Sequence, residues 1–370
     1  MKYFSISTIN SSGLGDQLGT QFIRLYKLGL AIGLNFIWKD IFFPRSIKPD
    51  WYEKKHIHFF RIRYYLLKYF GCNSNIVSSG INAILLKKEN KLEKRLWQEK
   101  DDLSEFLNLK SLSKCNYVGK FHDVILDSFL LNNKHFTKKE LYNFIYSEVQ
   151  GEEPRLCWTS KCWELIPDID EFLNKEGYND LDDGLLSECT RFDKIDRCTV
   201  FHIRCGDSTK IHLNNKDLII YDKFLYTREE EMSSIYAIDS HRKSILPEEY
   251  LNPVLDYVAK GEKVFIISDG FDLTFQNLFR NLLKRKCKVK LNREEIKQLL
   301  HKADTRNEVF RQFVGAEMII GENENNLKRS ITVISSADSI IWGIGGFALT
   351  IHKLFGINRD CNIKNINELP

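Results

Sequence analysis

The sequence has almost no excess of charge of either sign. Its 54 lysine and arginine residues and 50 aspartate and glutamate residues leave a formal net charge of +4. Such a small excess excludes a protein whose whole surface binds nucleic acid, so any basic site is local. With 370 residues, 43% of them hydrophobic, the chain is long enough for two domains and too apolar to be disordered.

The sequence also lacks an apolar run long enough to cross a bilayer. The apolar segment 333–351, for example, is interrupted by Asp338 and by glycines. The first nine residues alternate apolar and polar side chains, without the long apolar stretch and cleavage site of a signal peptide. We therefore expect a cytoplasmic protein that does not span a membrane.

A zinc-binding pattern is missing as well. The nine cysteines are odd in number and cannot all pair within the chain. Cys157 and Cys162 come closest to a metal-ligand spacing, but no second cysteine or histidine pair stands nearby at zinc-site spacing. The pattern favours cysteines that pack as small apolar groups in a reducing compartment, and predicts no metal.

The local pattern divides the chain into three stretches. Residues 1–45 are predicted to form a strand, a glycine-rich turn, a helix at 17–33 and a second strand at 35–38 that suits a parallel pair. Residues 46–195 read mainly as helices, at 57–70, 83–108 and 138–149. From residue 196 strands return at 199–204, 263–267, 316–320 and 339–342, each followed by a helix or loop.

These stretches predict an α/β protein of two domains, at 1–195 and 196–370, with a helical insertion in the N-terminal half. The C-terminal domain reads as a doubly wound sheet whose carboxyl-end loops form a nucleotide-sized crevice. In the insertion, the window 54–69 mixes basic and aromatic residues. Such a helix can contact an anionic membrane, although a half-buried helix with a solvated basic face is the favoured interpretation.

A glycine-rich turn follows the first strand and opens the first helix. Gly13 and Gly15 allow a ligand to approach the backbone, and the helix amino terminus offers N–H groups to an anion. The spacing does not fit the dinucleotide-binding fingerprint. A tight turn into a packed helix explains the two glycines equally well.

A sharper motif, His-Ile-Arg-Cys-Gly-Asp, ends the strand at 199–204. Strand alternation places His202 and Arg204 on one face of the sheet and Ile203 on the other. An arginine at this edge can bind a diphosphate through two parallel charge-assisted hydrogen bonds and so take the place of a metal ion. The alternative is a core imidazole at His202 with a structural ion pair between Arg204 and Asp207.

Two further loops follow predicted strands. Ser268 and Asp269 offer a hydroxyl and a carboxylate to a ribose or a base, although such a pair is more often a turn with an aspartate cap. The segment Gly345, Gly346 and Phe347 opens the last helix and directs backbone N–H groups at a phosphate. The three carboxyl-end loops are therefore predicted to converge.

Two of these motifs resemble those of the α-1,2/α-1,6-fucosyltransferase superfamily. The pattern His-x-Arg-x-Gly-Asp at 202–207 and the segment Gly-Leu-Gly-Asp-Gln-Leu at 13–18 carry the resemblance, and 336–349 is similar to the family's third region. The resemblance implies a GT-B fold, with two Rossmann-like domains facing a cleft, and inverting transfer of fucose from GDP-fucose to a glycan hydroxyl. It also implies chemistry without a metal or other cofactor, and a nucleotide-sugar donor and glycan acceptor as the binding partners.

The resemblance also implies roles for single residues. Arg204 would bind the β-phosphate and His202 the guanine or ribose side, while Gly13 and Gly15 would line the pocket near the sugar. Gly345 and Gly346 would contact the diphosphate through their backbone. A carboxylate that accepts hydrogen bonds from the guanine is expected after a strand, and Glu322 is the candidate. The candidate general bases are Asp207 and Asp16.

The sequence departs from the family pattern at several of these positions. Asp16 replaces the usual asparagine, Cys205 replaces a second arginine, and Gly345 and Gly346 replace two serines. The loss of a cation and two hydroxyls keeps two alternatives open: a GT-B glycosyltransferase that uses another nucleotide sugar, and a non-catalytic protein that binds a sugar nucleotide.

Overall fold

The structure of the chain is a computed structural model in which helices connect and flank β-sheets. The described residues are 2–8, 13–39, 41–44, 81–98, 100–106, 118–149, 151–159, 165–178, 195–205, 208–214, 216–221, 224–227, 246–271, 291–321, 323–343, 345–358 and 360–369, with single positions between 55 and 65. The predicted α/β class is confirmed, because parallel sheets are joined by helices. The basic-aromatic window 54–69 lies almost wholly outside these residues.

The chain divides into two compact units. Unit 1 comprises Met1–Ile47, Arg95–Lys194 and Gly346–Arg359, and unit 2 comprises Lys48–Lys94, Ile195–Gly345 and Asp360–Pro370. The predicted domains are 1–195 and 196–370, whereas here 48–94 falls in unit 2 and Gly346–Arg359 falls in unit 1.

A mainly parallel sheet forms the centre of unit 1. Its strands are β1 (Tyr3–Thr8), β2 (Asn35–Phe36), β3 (Phe42–Pro44), β4 (Lys100–Asp102), β5 (Phe121–Ile125) and β6 (Glu153–Trp158). They run in the order β4-β3-β1-β6-β5, with β2 also paired to β1, and only β4 is antiparallel to its neighbour. The predicted parallel pairing of the first strand with the strand after its helix is confirmed by β1 and β2.

Several helices accompany this sheet and the segments beside it. In chain order the described helices up to residue 175 are α1 (Leu14–Asp16), a π-helix (Gln17–Phe22), α2 (Ile23–Ala31), α3 (Ile81–Gln98), α4 (Leu103–Phe106), α5 (Asp127–Asn132), α6 (Lys138–Glu148) and α7 (Ile166–Lys175). Most of α3, residues 81–94, belongs to unit 2 and not to unit 1. Helix α6 begins at the predicted position because Thr137 and Glu140 form a capping box that satisfies the free N–H groups of its first turn.

The prediction that 46–195 is a helical insertion is wrong in part. The stretch supplies β4, β5 and β6, and the helix predicted at 83–108 ends at Gln98, with β4 between it and α4. The strand β6 was missed because Pro154 and the charged residues at its start conceal a segment that is buried between β1 and β5. On the edge strand β5, polar side chains such as His122 and Asp123 face solvent and weaken the apolar alternation.

A wholly parallel sheet forms the centre of unit 2. Its strands are β7 (Cys198–Ile203), β11 (Lys263–Ser268), β12 (Glu317–Ile320), β13 (Ser339–Trp342) and β14 (Asn362–Asn365), in the order β12-β11-β7-β13-β14. Numbered along the chain, that order is 3-2-1-4-5, which is the order of a doubly wound sheet. The predicted strands from residue 196 onward are therefore confirmed to within a residue or two.

Further elements of unit 2 complete its described part. A separate antiparallel meander, β8 (Ser208–Leu213), β9 (Lys216–Tyr221) and β10 (Phe224–Thr227), was not predicted. The α-helices are α8 (Leu251–Ala259), α9 (Arg293–Asp304) and α10 (Glu324–Ser336), with 3₁₀ turns at Pro247–Tyr250, Arg306–Gln312 and Ile366–Glu368. The helix predicted to begin near Leu273 lies outside the described residues.

One apolar cluster shows how β7 is oriented in unit 2. Phe201, Ile203 and Cys205 are buried with Tyr250 and Phe310 on one side of the sheet. Because successive side chains of a strand point to opposite faces, His202 and Arg204 belong to the other side. The predicted separation of Ile203 from this pair is confirmed.

The last helix, α11 (Phe347–Phe355), belongs to unit 1 because it packs against the first helices of the chain. A Cβ atom at Gly15 would lie 3.2 Å from the Cα of Phe347, and one at Gly19 would lie 2.6 Å from the Oγ1 of Thr350. Both glycines therefore allow two helix backbones to approach closely. Within the described residues, no helix has the length and the apolar character needed to span a membrane.

This packing predicts the effect of a methyl group at Gly19. We expect Gly19→Ala to lower the free energy of unfolding by about 1–3 kcal/mol, because the new methyl overlaps the Thr350 hydroxyl. Urea unfolding of the single variants and of Gly19→Ala/Thr350→Ala measures the effect. Removal of the Thr350 hydroxyl and methyl makes space, so the double variant should lose less stability than the sum of the single variants.

Candidate functional site

The strand order of unit 2 fixes where a ligand site is expected. From β7 the chain first adds β11 and β12 on one side, and later adds β13 and β14 on the other. The order reverses between β7 and β13, and open α/β sheets bind ligands outside the carboxyl ends of the strands at such a point. Arg204 directly follows β7, and Gly343 directly follows β13 with Gly345 two residues later. Both predicted loops therefore lie beside the reversal.

Arg204 lies against the backbone of Gly345. A Cβ atom at Gly345 would be 3.0 Å from the Cδ of Arg204 and 3.2 Å from its Nη1. Gly345 also has a φ of +87°, a conformation that side chains other than glycine disfavour. The positive φ disfavours any other residue at position 345, and a Cβ there would also force the half-buried side chain of Arg204 to shift by a few tenths of an ångström.

The third loop, after β11, is tied to the loop after β7. The Oδ1 of Asp269 accepts a hydrogen bond of 2.7 Å from the backbone N–H of Cys205. The buried hydroxyl of Ser268 accepts one of 3.0 Å from the N–H of Gly270. The bond to Ser268 is that of a turn, the alternative that the sequence left open, whereas the bond to Asp269 joins two loops. The contact of Ser268 and Asp269 with a ribose or base stays a prediction.

Sequence reasoning missed Asn307, which supports the same loop. Its Oδ1 accepts a 2.9 Å hydrogen bond from the N–H of Phe271 and lies 3.4 Å from where a Cβ of Gly270 would be. Gly270 itself has a φ of +72°. No local pattern around Asn307 marks this role, because its partner stands 36 residues earlier in the chain.

His202 is buried at the end of β7, with 6% of its surface exposed. Burial and the neighbouring charge of Arg204 lower the pKa of the imidazole from 6.5 to about 4. His202 is therefore neutral at physiological pH. Its burial supports the interpretation as a core imidazole, and its predicted contact with guanine or ribose stays a prediction.

The low pKa of His202 predicts that acid destabilises the protein. The unfolded imidazole takes up a proton below pH 6.5, whereas the folded one resists protonation until about pH 4. The contribution of His202 is therefore complete above pH 6.5 and is lost as the pH falls from 6.5 to 4. Urea unfolding at pH 7.5 and 5.0 should show a loss of about 2 kcal/mol from this group. His202→Gln should lack this part of the loss, and equal losses in both proteins would contradict the shift.

Several predicted site residues fall in unit 1 or outside the description. Gly13 is exposed with no atom within 4 Å of where its Cβ would lie, and Gly15 and Phe347 pack against each other. Gly346, at the start of α11, is exposed and belongs to unit 1 with them. The side chain of Asp16, and Asp207 and Glu322, lie outside the described residues.

The described residues contain no group of three or more His, Cys, Asp or Glu side chains placed to hold a metal ion. What the structure does bring together in unit 2 is a cation, a buried neutral imidazole and glycine backbone at one edge of a parallel sheet. Searches of protein-family models, curated proteins and solved structures found no significant match to this chain.

Proposed function

We propose that this chain is an inverting GT-B glycosyltransferase that transfers fucose from GDP-fucose to a glycan hydroxyl without a metal ion. The observation that carries the proposal is the position of Arg204 against Gly345, at the strand-order reversal of unit 2. A nucleoside diphosphate bound there would lie beside a permanent positive charge and beside the backbone of Gly345, which carries no side chain. The resemblance of 13–18 and 202–207 to the fucosyltransferase superfamily supports the same assignment.

The main electrostatic requirement of the reaction is stabilisation of the negative charge that develops on the departing GDP. The oxygen of the acceptor hydroxyl forms a bond to the anomeric carbon while the bond from that carbon to the β-phosphate oxygen breaks. A general base takes the hydroxyl proton, and GDP leaves with the bonding electrons. The Arg204 guanidinium can stabilise the growing charge on the diphosphate, because charge-assisted hydrogen bonds in a preorganised site strengthen as the charge develops.

Neutral His202 suits this role for Arg204. Two positive charges two residues apart would repel each other, whereas an uncharged imidazole adds no such repulsion next to Arg204. On the sequence pattern alone, Asp207 and Asp16 remain the candidate general bases, and Glu322 remains the candidate for hydrogen bonding to the guanine. The acceptor would be bound by the N-terminal part of the chain, residues 1–195. A surface polysaccharide or lipid-linked oligosaccharide fits a cytoplasmic enzyme with peripheral membrane contact.

A panel of nucleotides tests the proposal. The melting temperature of the full chain is measured with GDP, UDP, ADP, GDP-fucose and GDP-mannose, because a ligand that binds the folded state raises it. GDP-fucose should raise it most among the sugar nucleotides, and GDP should be released when a glycan acceptor is added. A larger shift with another sugar nucleotide assigns a different donor. Binding of GDP without release in the presence of any acceptor points to the non-catalytic alternative, and no shift with any nucleotide overturns the proposal.

A further inference from the structure

The two ends of β7 are held in the same way. At the amino end, the backbone N–H of Cys198 donates to the Oδ2 of Asp338 at 2.9 Å. At the carboxyl end, the N–H of Cys205 donates to the Oδ1 of Asp269 at 2.7 Å. The two hydrogen bonds are of the same kind, but only the second one lies next to Arg204. The bond of Asp338 can therefore serve as a control for the bond of Asp269.

The Asp269 contact comes from a neighbouring strand. Asp269 directly follows β11, which pairs in parallel with β7 so that Ser268 stands opposite Ile203. The bond therefore spans the two carboxyl-end loops and fixes the peptide that joins Arg204 to Cys205. A backbone N–H that donates to a carboxylate makes one of the stronger hydrogen bonds in proteins, and its loss frees the loop on that side.

The turn that carries Asp269 is itself held by hydrogen bonds. Ser268 is bonded to the N–H of Gly270 and its Oγ lies 3.5 Å from the Sγ of Cys205. Asn307 holds the N–H of Phe271. The carboxylate thus extends from a turn fixed by two further hydrogen bonds, which makes it a rigid support for the residue it contacts.

We propose that Asp269 is a positioning residue that holds the Arg204–Cys205 peptide so that the guanidinium stays beside Gly345. This rests on the proposed function, because the consequence is a site preorganised for the diphosphate. Asp269 acts here through Arg204, in contrast to the direct contact with ribose or base that the sequence suggested.

The test compares GDP affinity, measured by calorimetry, in the full-length variants Asp269→Ala, Asp269→Asn and Asp338→Ala. We expect about tenfold weaker binding for Asp269→Ala. Asparagine keeps an oxygen that can accept from Cys205, so Asp269→Asn should retain most of the affinity. Asp338→Ala removes the same kind of bond from the far end of β7 and should lower stability without changing affinity.

A double-variant cycle separates positioning from general destabilisation. In an Arg204→Ala background, Asp269→Ala should cause no further loss of GDP affinity, because the residue through which it acts is gone. An equal tenfold loss in both backgrounds would overturn the proposal and indicate direct contact with the nucleotide. Equal effects of Asp269→Ala and Asp338→Ala on affinity would also overturn it.

Hydrogen exchange tests the hydrogen bond between Asp269 and Cys205 in the absence of any nucleotide. The amide of Cys205 should exchange at least about tenfold faster in Asp269→Ala than in the wild type, and at a nearly unchanged rate in Asp269→Asn. Unchanged exchange in Asp269→Ala contradicts the contact itself. If the wild type binds no GDP while this exchange effect is present, the proposed function fails and the contact stands.

Discussion

Replacement of Arg204 by alanine is expected to lower the turnover of sugar transfer by about 100- to 1000-fold, equivalent to about 2.7–4 kcal/mol of transition-state stabilisation. The guanidinium lies beside Gly345 at the carboxyl edge of β7 and is the charge that would stabilise departing GDP. The measurement is the rate of GDP release at saturating donor and acceptor. The side chain is half-buried at the end of a strand and not part of the apolar cluster, so we expect the variant to fold.

Two further variants complete this experiment. Arg204→Lys keeps the charge but loses the planar fork that binds two phosphate oxygens, so most of the loss should remain. Arg329→Ala removes an exposed arginine of the same unit that pairs with Glu317, and should leave turnover unchanged. If Arg204→Ala keeps near-normal turnover, the proposed mechanism is wrong.

A valine at position 345 is expected to weaken GDP binding by about 100-fold. The Cβ would lie 3.0 Å from the Cδ and 3.2 Å from the Nη1 of Arg204, and the two further methyl groups of valine would push the guanidinium away from the diphosphate. Each charge-assisted hydrogen bond lost in this way costs about 1.5–3 kcal/mol. The left-handed backbone at φ +87° adds strain of about 1–3 kcal/mol to folding. Calorimetric titration with GDP measures the affinity, and urea unfolding measures the stability.

Gly261 provides the matched control for this variant. It has a φ of +79° in the same unit, with no atom within 4 Å of where its Cβ would lie. Gly261→Val should therefore show a comparable loss of stability with unchanged affinity for GDP. If both variants bind GDP equally well, displacement of Arg204 has no effect on the nucleotide and the proposed position of the diphosphate is wrong.

The positions of the site strands could be predicted because each is an apolar run that ends at glycine or at polar residues. That pattern is local, and it located β7, β11 and β13 together with the alternation of Ile203 against His202 and Arg204. Other strands escaped prediction because their own residues carry little of the pattern. Strand β6 begins with Glu153, Pro154 and Arg155, which are not typical of a central strand, yet it pairs with β1 and β5 on its two sides.

The roles of Gly15 and Asp269 show what a local pattern cannot indicate. Gly15 stands in a motif typical of a ligand-binding turn, yet the structure places Phe347 where its side chain would be. Asp269 looks available to a ribose, yet its carboxylate accepts from Cys205, 64 residues away in the chain. In both cases the contacting residue belongs to a distant segment of the chain, so the contact cannot be predicted from the neighbouring sequence.

The α/β class of this protein could be predicted from local sequence patterns, since strands and amphipathic helices are recognised from neighbouring residues alone. The sequence also placed an arginine and a glycine turn at the ends of two strands. The tertiary structure alone decided that those strands are neighbours at the reversal of the sheet, which brings Arg204 to Gly345. It also assigned α11 to unit 1. Strand order and helix docking depend on packing between distant segments, and such packing is settled only when the whole chain folds.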